Sequence, residues 1–357
     1  MKRVLPYWIL FSLFAVGAVQ FRPLPNRAIQ GGLLFLVLAT ATMLMIGLRY
    51  QVGADWDTYE NILDYITHAS FSEGVWNQDP AYGLLNWLAG RVGLGIWAVN
   101  LVCALLFTWG LVRFARRQPH PWLVILIAIP YLIIVAAMGY TRQAVAIGFV
   151  LMALAEFDTI SIPRFLFYIF LAASFHKTAV IVLPMAALTI ARGRVLTSVA
   201  LLLSTGLLYY IFVQSSVDKL MVNYEGYEYD SQGAGIRVAM NVVPAFIFLV
   251  FWKRFGFGER SLLLWRNFSL ASFISVALLV LTSSSTAVDR MALYLIPLQL
   301  TVLGRLPWVL SANGAINRRI VVVLIFYSAA IQFVWLNFAT HAQYWVPYHT
   351  VLAPPPA

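Results

Sequence analysis

The residues with the clearest chemical potential stand at the ends of apolar runs. Arg49, Arg142, Lys177, Arg237 and Arg290 each close or open a stretch of hydrocarbon side chains. Arginine forks two parallel N–H bonds onto phosphate oxygens, so several converging from different helices suit a membrane-anchored pyrophosphate. The plain alternative is snorkelling, with each side chain reaching for water and head groups. Carboxylates accompany the cations. Asp55, Asp57 and Glu60 share the stretch Gly47–Glu60 with Arg49, and Asp289 adjoins Arg290. A carboxylate placed there can take the proton of an attacking hydroxyl. His176, beside Lys177, can do the same or hydrogen-bond a phosphate, although a lone helix-end histidine also serves structure alone.

Other groups carry weaker signals. Asp55-x-Asp57 has the form of a metal–nucleotide motif, but arginines can replace the metal where the donor is a lipid pyrophosphate. Asp64, Glu73 and Asp79 read as solvated loop charge. Tyr59, Tyr140 and Tyr227 offer faces for sugar rings and Gln143 an amide for hydroxyls; an interfacial aromatic belt is the competing account. His341 and His349 lie in a tail expected to be mobile. No His, Cys or carboxylate spacing suggests a zinc site, and no Gly-Lys phosphate loop occurs, so neither metal nor cofactor is expected.

These residues need a scaffold, and composition names it. Apolar residues make up 61% of 357 and charged residues 11%. A soluble chain would carry about twice that charged share. The expected fold is an all-α polytopic membrane protein with lipid as its main solvent, in one domain covering 1–357. A crossing helix needs about 20 apolar residues. Candidate spans are 4–21, 28–48, 92–112, 121–139, 143–157, 163–175, 178–191, 195–213, 239–252, 267–284, 291–304 and 320–336. That gives about 12 helices, within a range of 10–14. Short ones such as 163–175 suit half-helices or re-entrant segments lining a polar cavity. The first run ends in Gln20-Phe21-Arg22-Pro23 without a small-residue cleavage site, so no cleaved signal is expected. Cys103 is the one cysteine, which rules out an internal disulfide.

The net charge of +10 does not mark a nucleic-acid binder. Basic residues come in ones to threes at span ends, the positive-inside pattern. One alternate set of loops holds 15 of the 24 basic residues and only three acids, Glu156, Asp158 and Glu259. That set is expected to be cytoplasmic, leaving both termini outside. The outer side then holds the acidic, aromatic loop 49–91, the loop 214–238 and the tail 337–357. All the candidate chemistry falls on that side. The halves of the chain do not repeat each other, which disfavours a transporter of paired halves.

Four short stretches resemble the EpsG family, which belongs with the Wzy-type O-antigen and exopolysaccharide polymerases. They are Arg49 followed by Gly53-x-Asp55-x3-Tyr59; Tyr140-Thr141-Arg142-Gln143 opening a small-residue helix; Ala173-Ser174-Phe175-His176-Lys177-Thr178-Ala179; and Asp289-Arg290-x3-Tyr294. They keep the family's order between 47 and 295. The resemblance implies a bacterial inner-membrane glycosyltransferase with a GT-C-like architecture. Such an enzyme moves a growing glycan from one undecaprenyl pyrophosphate onto the sugar of another lipid-linked repeat unit, on the periplasmic side. It implies Arg49, Arg142 and Arg290 as pyrophosphate contacts, with Asp55 and His176 as acid/base or positioning groups. A chain-length regulator is a candidate partner. Loop 214–238 is shorter than in many O-antigen polymerases, which shifts weight onto loop 49–91 and the tail.

A flippase or exporter of the same lipid-linked glycans is the alternative. It would need cations along a path through the membrane, and few basic residues fall mid-span. An acyl- or phosphotransferase would need a nucleophile motif that is missing.

Overall fold

Hydrocarbon offers no hydrogen-bond partners, so a segment inside it must satisfy its own backbone, and a helix does this within one segment. The computed structural model describes residues 4–21, 32–76, 78–190, 233–281, 285–311 and 314–354, with single positions 199, 203, 206 and 210. The described residues are helical, with two isolated β-bridges and no strands.

Five described stretches are long and apolar enough to cross a membrane: Ile96–Arg116, Ala234–Phe255, Glu259–Leu281, Ser285–Val309 and Arg318–Phe338. Six shorter apolar helices accompany them, from Leu5–Gln20 to Lys177–Ala187. All lie on expected spans. The span 195–213 falls largely outside the described residues, and so do most of loop 214–238 and Tyr227.

In chain order, α1 (Leu5–Gln20) and α2 (Gly32–Gly47) precede three helices on one end of the bundle, here the upper end: α3 (Trp56–His68), α4 (Phe71–Trp76) and α5 (Pro80–Arg91). The stretch 49–91, read from sequence as a loop, is therefore an ordered helical layer. Its helices are short and half-polar: α3 buries Trp56, Tyr59 and Ile66 while Asp57 and Glu60 face out. Next come α6 (Ile96–Arg116), α7 (Pro121–Ala128), α8 (Thr141–Ala155), α9 (Ile162–Phe175) and α10 (Val182–Ile190). The last group is α11 (Ala234–Phe251), α12 (Glu259–Leu281), α13 (Ser285–Ala292), α14 (Ile296–Val309) and α15 (Arg318–Phe338).

The core runs through α7 and its continuation, where every residue from Pro121 to Ala137 is buried. A helix apolar on all sides belongs at the centre. At Pro130, which has no N–H to donate, the chain widens into a π-helix over Ile129–Ala137 that leads up to Tyr140. Peripheral helices keep lipid faces, with Leu33, Phe170, Val280 and Phe326 exposed. Helices α6 and α8 meet through glycines. A Cβ on Gly110 would lie 2.1 Å from the Gly148 carbonyl oxygen, so only a small residue admits this approach.

The two ends of the bundle differ. At the lower end Glu156 pairs with Arg113 and Arg117, Asp158 accepts the Ser261 N–H, and Arg305 donates to Gln118. At the upper end the C-terminal tail folds back over α1 and α2. Tyr7 O–H donates to the Trp345 carbonyl at 2.7 Å, and Trp345 Nε1 donates to Ile134 at 2.7 Å. Tyr348 O–H reaches Met45, and Thr350 bridges Arg49. Both ends of the described chain therefore share one face. The tail is a packed strap, not the mobile segment expected: His349 accepts the Tyr50 N–H, and Trp345 is buried. Gly53 joins strap to core. Its N–H donates to Tyr344, its φ is +109°, and a Cβ there would lie 2.2 Å from the Met138 carbonyl oxygen. Only glycine meets both demands.

Candidate functional site

Two aspartates open the helices of the upper layer. Asp55 is the N-cap of α3 and Asp79 that of α5, yet neither side chain caps its helix. An N-cap carboxylate ordinarily accepts from the N–H groups of the first turn. Both instead turn toward arginines from the spanning helices.

Asp79 Oδ2 lies 2.9 Å from Arg142 Nη1. Its Oδ1 accepts the Lys177 backbone N–H at 3.3 Å, and His176 Nδ1 stands 3.5 Å from Oδ2, an ion-pair distance longer than a formed hydrogen bond. Arg142 is the second residue of α8. It also hydrogen-bonds Tyr59 and lies 5.8 Å from the Tyr82 ring centroid. His176 sits where α9 ends and a 3₁₀ turn, Lys177–Ile181, begins, and its backbone is extended. Thr178 O–H bonds Tyr294 and fixes that turn. Burial would raise the Asp79 carboxyl, but His176, Arg142 and the Lys177 amide outweigh it and hold the group below the ordinary carboxylate value.

Asp55 faces Arg290 at 3.8 Å, and the Arg290 guanidinium lies 4.3 Å from the Tyr140 ring centroid. Gln143 Nε2 donates to the Arg290 carbonyl at 2.6 Å, leaving its buried Oε1 without a protein partner. Burial raises the Asp55 carboxyl above its usual value, although Arg290 and Arg142 pull the other way. Asp289 pairs with Arg237 of α11 at 2.7 Å. Of the residues singled out from sequence, the structure thus gathers Asp55, Tyr59, Tyr140, Arg142, Gln143, His176, Arg237, Asp289 and Arg290 at one end of the bundle.

Two expectations, for Arg49 and for Asp79, need correction. Arg49 does not open to a ligand. It is 1% exposed and its fork is filled by the Val52 and Ile46 carbonyls, Asn100 and Thr141. Its charge is spent on joining α2, α6 and α8. Lys177 contributes its backbone N–H, while its side chain is exposed beside the cluster. Asp79 is not solvated loop charge but a largely buried acid that meets Arg142, His176 and the Lys177 amide. An Asp-Pro at a helix start signals an N-cap in sequence, and nothing in that signal points to Arg142 or His176. Tyr227 lies outside the described residues. Among the described residues, no three His, Cys, Asp or Glu side chains gather to hold a metal.

Two cavities adjoin Arg237. A small one, of about 10 Å³, has a mixed lining that includes Asn241, Asp289 and Gln299 beside Leu293 and Ile296. It shares Tyr131, Arg237 and Met240 with an apolar groove of about 730 Å³ between the upper halves of α11 and α15. Ile236, Val243, Val334 and Phe338 line that groove, and its upper rim holds Gly233 and His341.

The EpsG family model matches residues 32–350, nearly the whole chain. The protein belongs to the EpsG family. Membership and apolar helices together make this chain a membrane protein of the polysaccharide-polymerase type. The match spans every element of the site, from Asp55 to Arg290. No curated protein and no solved structure matches the chain.

Proposed function

We propose that this EpsG protein is a glycosyltransferase that moves a growing glycan from undecaprenyl pyrophosphate to the sugar of another lipid-linked repeat unit. The reaction takes place at the upper face, on the periplasmic side of a bacterial inner membrane. The scaffold is read as GT-C-like with about twelve crossings. One observation carries the reading: Arg142, Arg290, Asp55 and His176, from four separate elements, meet at one end of an otherwise hydrocarbon bundle.

The chemistry follows from that arrangement. The acceptor hydroxyl attacks the anomeric carbon of the donor glycan. The bond from that carbon to the pyrophosphate oxygen breaks, and the polyprenyl pyrophosphate leaves with the bonding pair. Arg142 and Arg290 take up its growing negative charge, with Arg237 beside them. The acceptor proton passes to a base, for which Asp55 and His176 are placed. Tyr59, Tyr140 and Gln143 offer ring faces and an amide for the sugars. The free Gln143 Oε1 suits a donor hydroxyl, since a buried acceptor left unpaired costs about 1–3 kcal/mol. The groove between α11 and α15 suits the polyprenyl chain, because it is mostly apolar and has Arg237 in its lining.

The test is elongation of purified lipid-linked repeat units by the protein in detergent, where no transport can occur. Arg142→Ala and Arg290→Ala should each slow elongation by about 10²–10³-fold, the usual loss when one aimed donor of charge stabilisation is removed. Normal polymer length from both variants would refute the reading. A wild-type protein that binds the lipid but never lengthens it would favour the exporter instead.

A further inference from the structure

Asp79 has no role in the polymerase reading above, yet it meets Arg142, His176 and the Lys177 amide. We propose that Asp79 is a positioning residue that orients His176 as the base of glycan transfer. The proposal rests on the polymerase reading and deepens it by choosing between Asp55 and His176.

The geometry makes the case. Asp79 forgoes capping α5, an interaction usually worth about 1 kcal/mol, and its carboxylate is only 9% exposed. Each oxygen has a use. Oδ1 accepts the Lys177 N–H, the amide directly after His176. Oδ2 faces both Arg142 Nη1 and His176 Nδ1. A carboxylate facing Nδ1 favours the imidazole tautomer that carries its proton there, which leaves the lone pair on Nε2. Nε2 then accepts the proton of the attacking hydroxyl, and the resulting imidazolium is stabilised by the anion behind it. At 3.5 Å the pair is one small side-chain shift short of a formed hydrogen bond. Asp55 lacks any comparable partner on a second titratable base. It stands 3.8 Å from Arg290 and in the field of Arg142, two fixed cations, which suits holding a hydroxyl rather than cycling a proton. Arg142, Lys177, Tyr59, Tyr82 and Tyr294 are the other titratable or charged side chains around the pair.

A double-mutant cycle in the purified, detergent-solubilised protein tests this. Asp79→Asn should lower kcat for elongation by about 100-fold without raising KM for the lipid-linked donor, since Arg142 loses only a competitor for phosphate. In a His176→Gln background the same change should alter kcat by no more than about 2-fold, because the residue through which Asp79 acts is gone. Asp79→Glu keeps the charge and the fold's ion pair, and should recover part of the kcat in the His176 background only. Equal losses in both backgrounds, or an Asp79→Asn protein with normal kcat, would overturn the assignment. If Asp79→Asn does not fold, Asp79→Glu with equal effects in both backgrounds overturns it as well. Failure of the wild type to lengthen the donor would count against the polymerase reading, not this one.

Discussion

Asp55 and Asp79 occupy the same local position, the N-cap of a short upper helix, and their surroundings drive them in opposite directions. Asp79, among His176, Arg142 and an amide, is held below the usual carboxylate value; Asp55, buried with Arg290 farther off, is pushed above it. For Asp55 the folded state therefore holds its proton more tightly than the unfolded chain does. The ionised carboxylate is a net cost to folding at pH above the folded value, and this cost vanishes once pH falls below the unfolded value of about 3.9. Asp55→Asn should accordingly raise the thermal midpoint at pH 7, leave it unchanged near pH 3, and still lower elongation. A midpoint that drops at pH 7 would show that Arg290 and Arg142 outweigh burial. The residue types at this site were legible in the sequence. Their pairing was not, because Asp79 lies 63 residues from Arg142 and 98 from Lys177, with no periodicity linking them. Arg49 erred for the same reason: an arginine at a span end looks alike whether it faces lipid phosphate or, as here, Asn100 and Thr141.

At the scale of elements, the spans were legible because hydrocarbon leaves one solution for the backbone, whatever the side-chain detail. The layer 49–91 was not, since α3, α4 and α5 are short, half-polar and held by packing on the bundle more than by their own periodicity. Its junction with the bundle hangs on Gly53. Gly53→Ala would place a methyl against the Met138 carbonyl and force a positive φ on a residue that resists it. Backbone strain of this kind costs about 1–3 kcal/mol even before the clash is counted. The expected outcome is a protein that still inserts, since no span is touched, but whose upper layer opens. Limited proteolysis should then cut the variant between α2 and α3 and spare the wild type there. Unchanged protection there would show that the strap alone holds the layer down.

At the scale of the whole molecule, the tail turns an open helical bundle into a closed upper face. It ties the start of α1, the end of α2, the layer 49–91 and the π-helix to one another, all through residues 344–351. Aromatic content aside, none of this is legible in the sequence, because each tie pairs residues hundreds of positions apart. Trp345 is the centre of it. Its ring is 1% exposed, lies against Gly139 and Trp335, and donates to Ile134 just below Tyr140. Trp345→Ala removes a buried aromatic, a loss of about 3–5 kcal/mol, and strips the Ile134 carbonyl of its donor. The π-helix that delivers Tyr140, Thr141 and Arg142 to the site would lose the contact that fixes its height. The variant should stay in the membrane, unfold at a markedly lower temperature in detergent, and elongate poorly. Trp345→Phe, which keeps most of the packing but not the donor, should fall between the two. Full elongation by Trp345→Ala at wild-type stability would mean that the strap merely lies on the site and does not set its geometry.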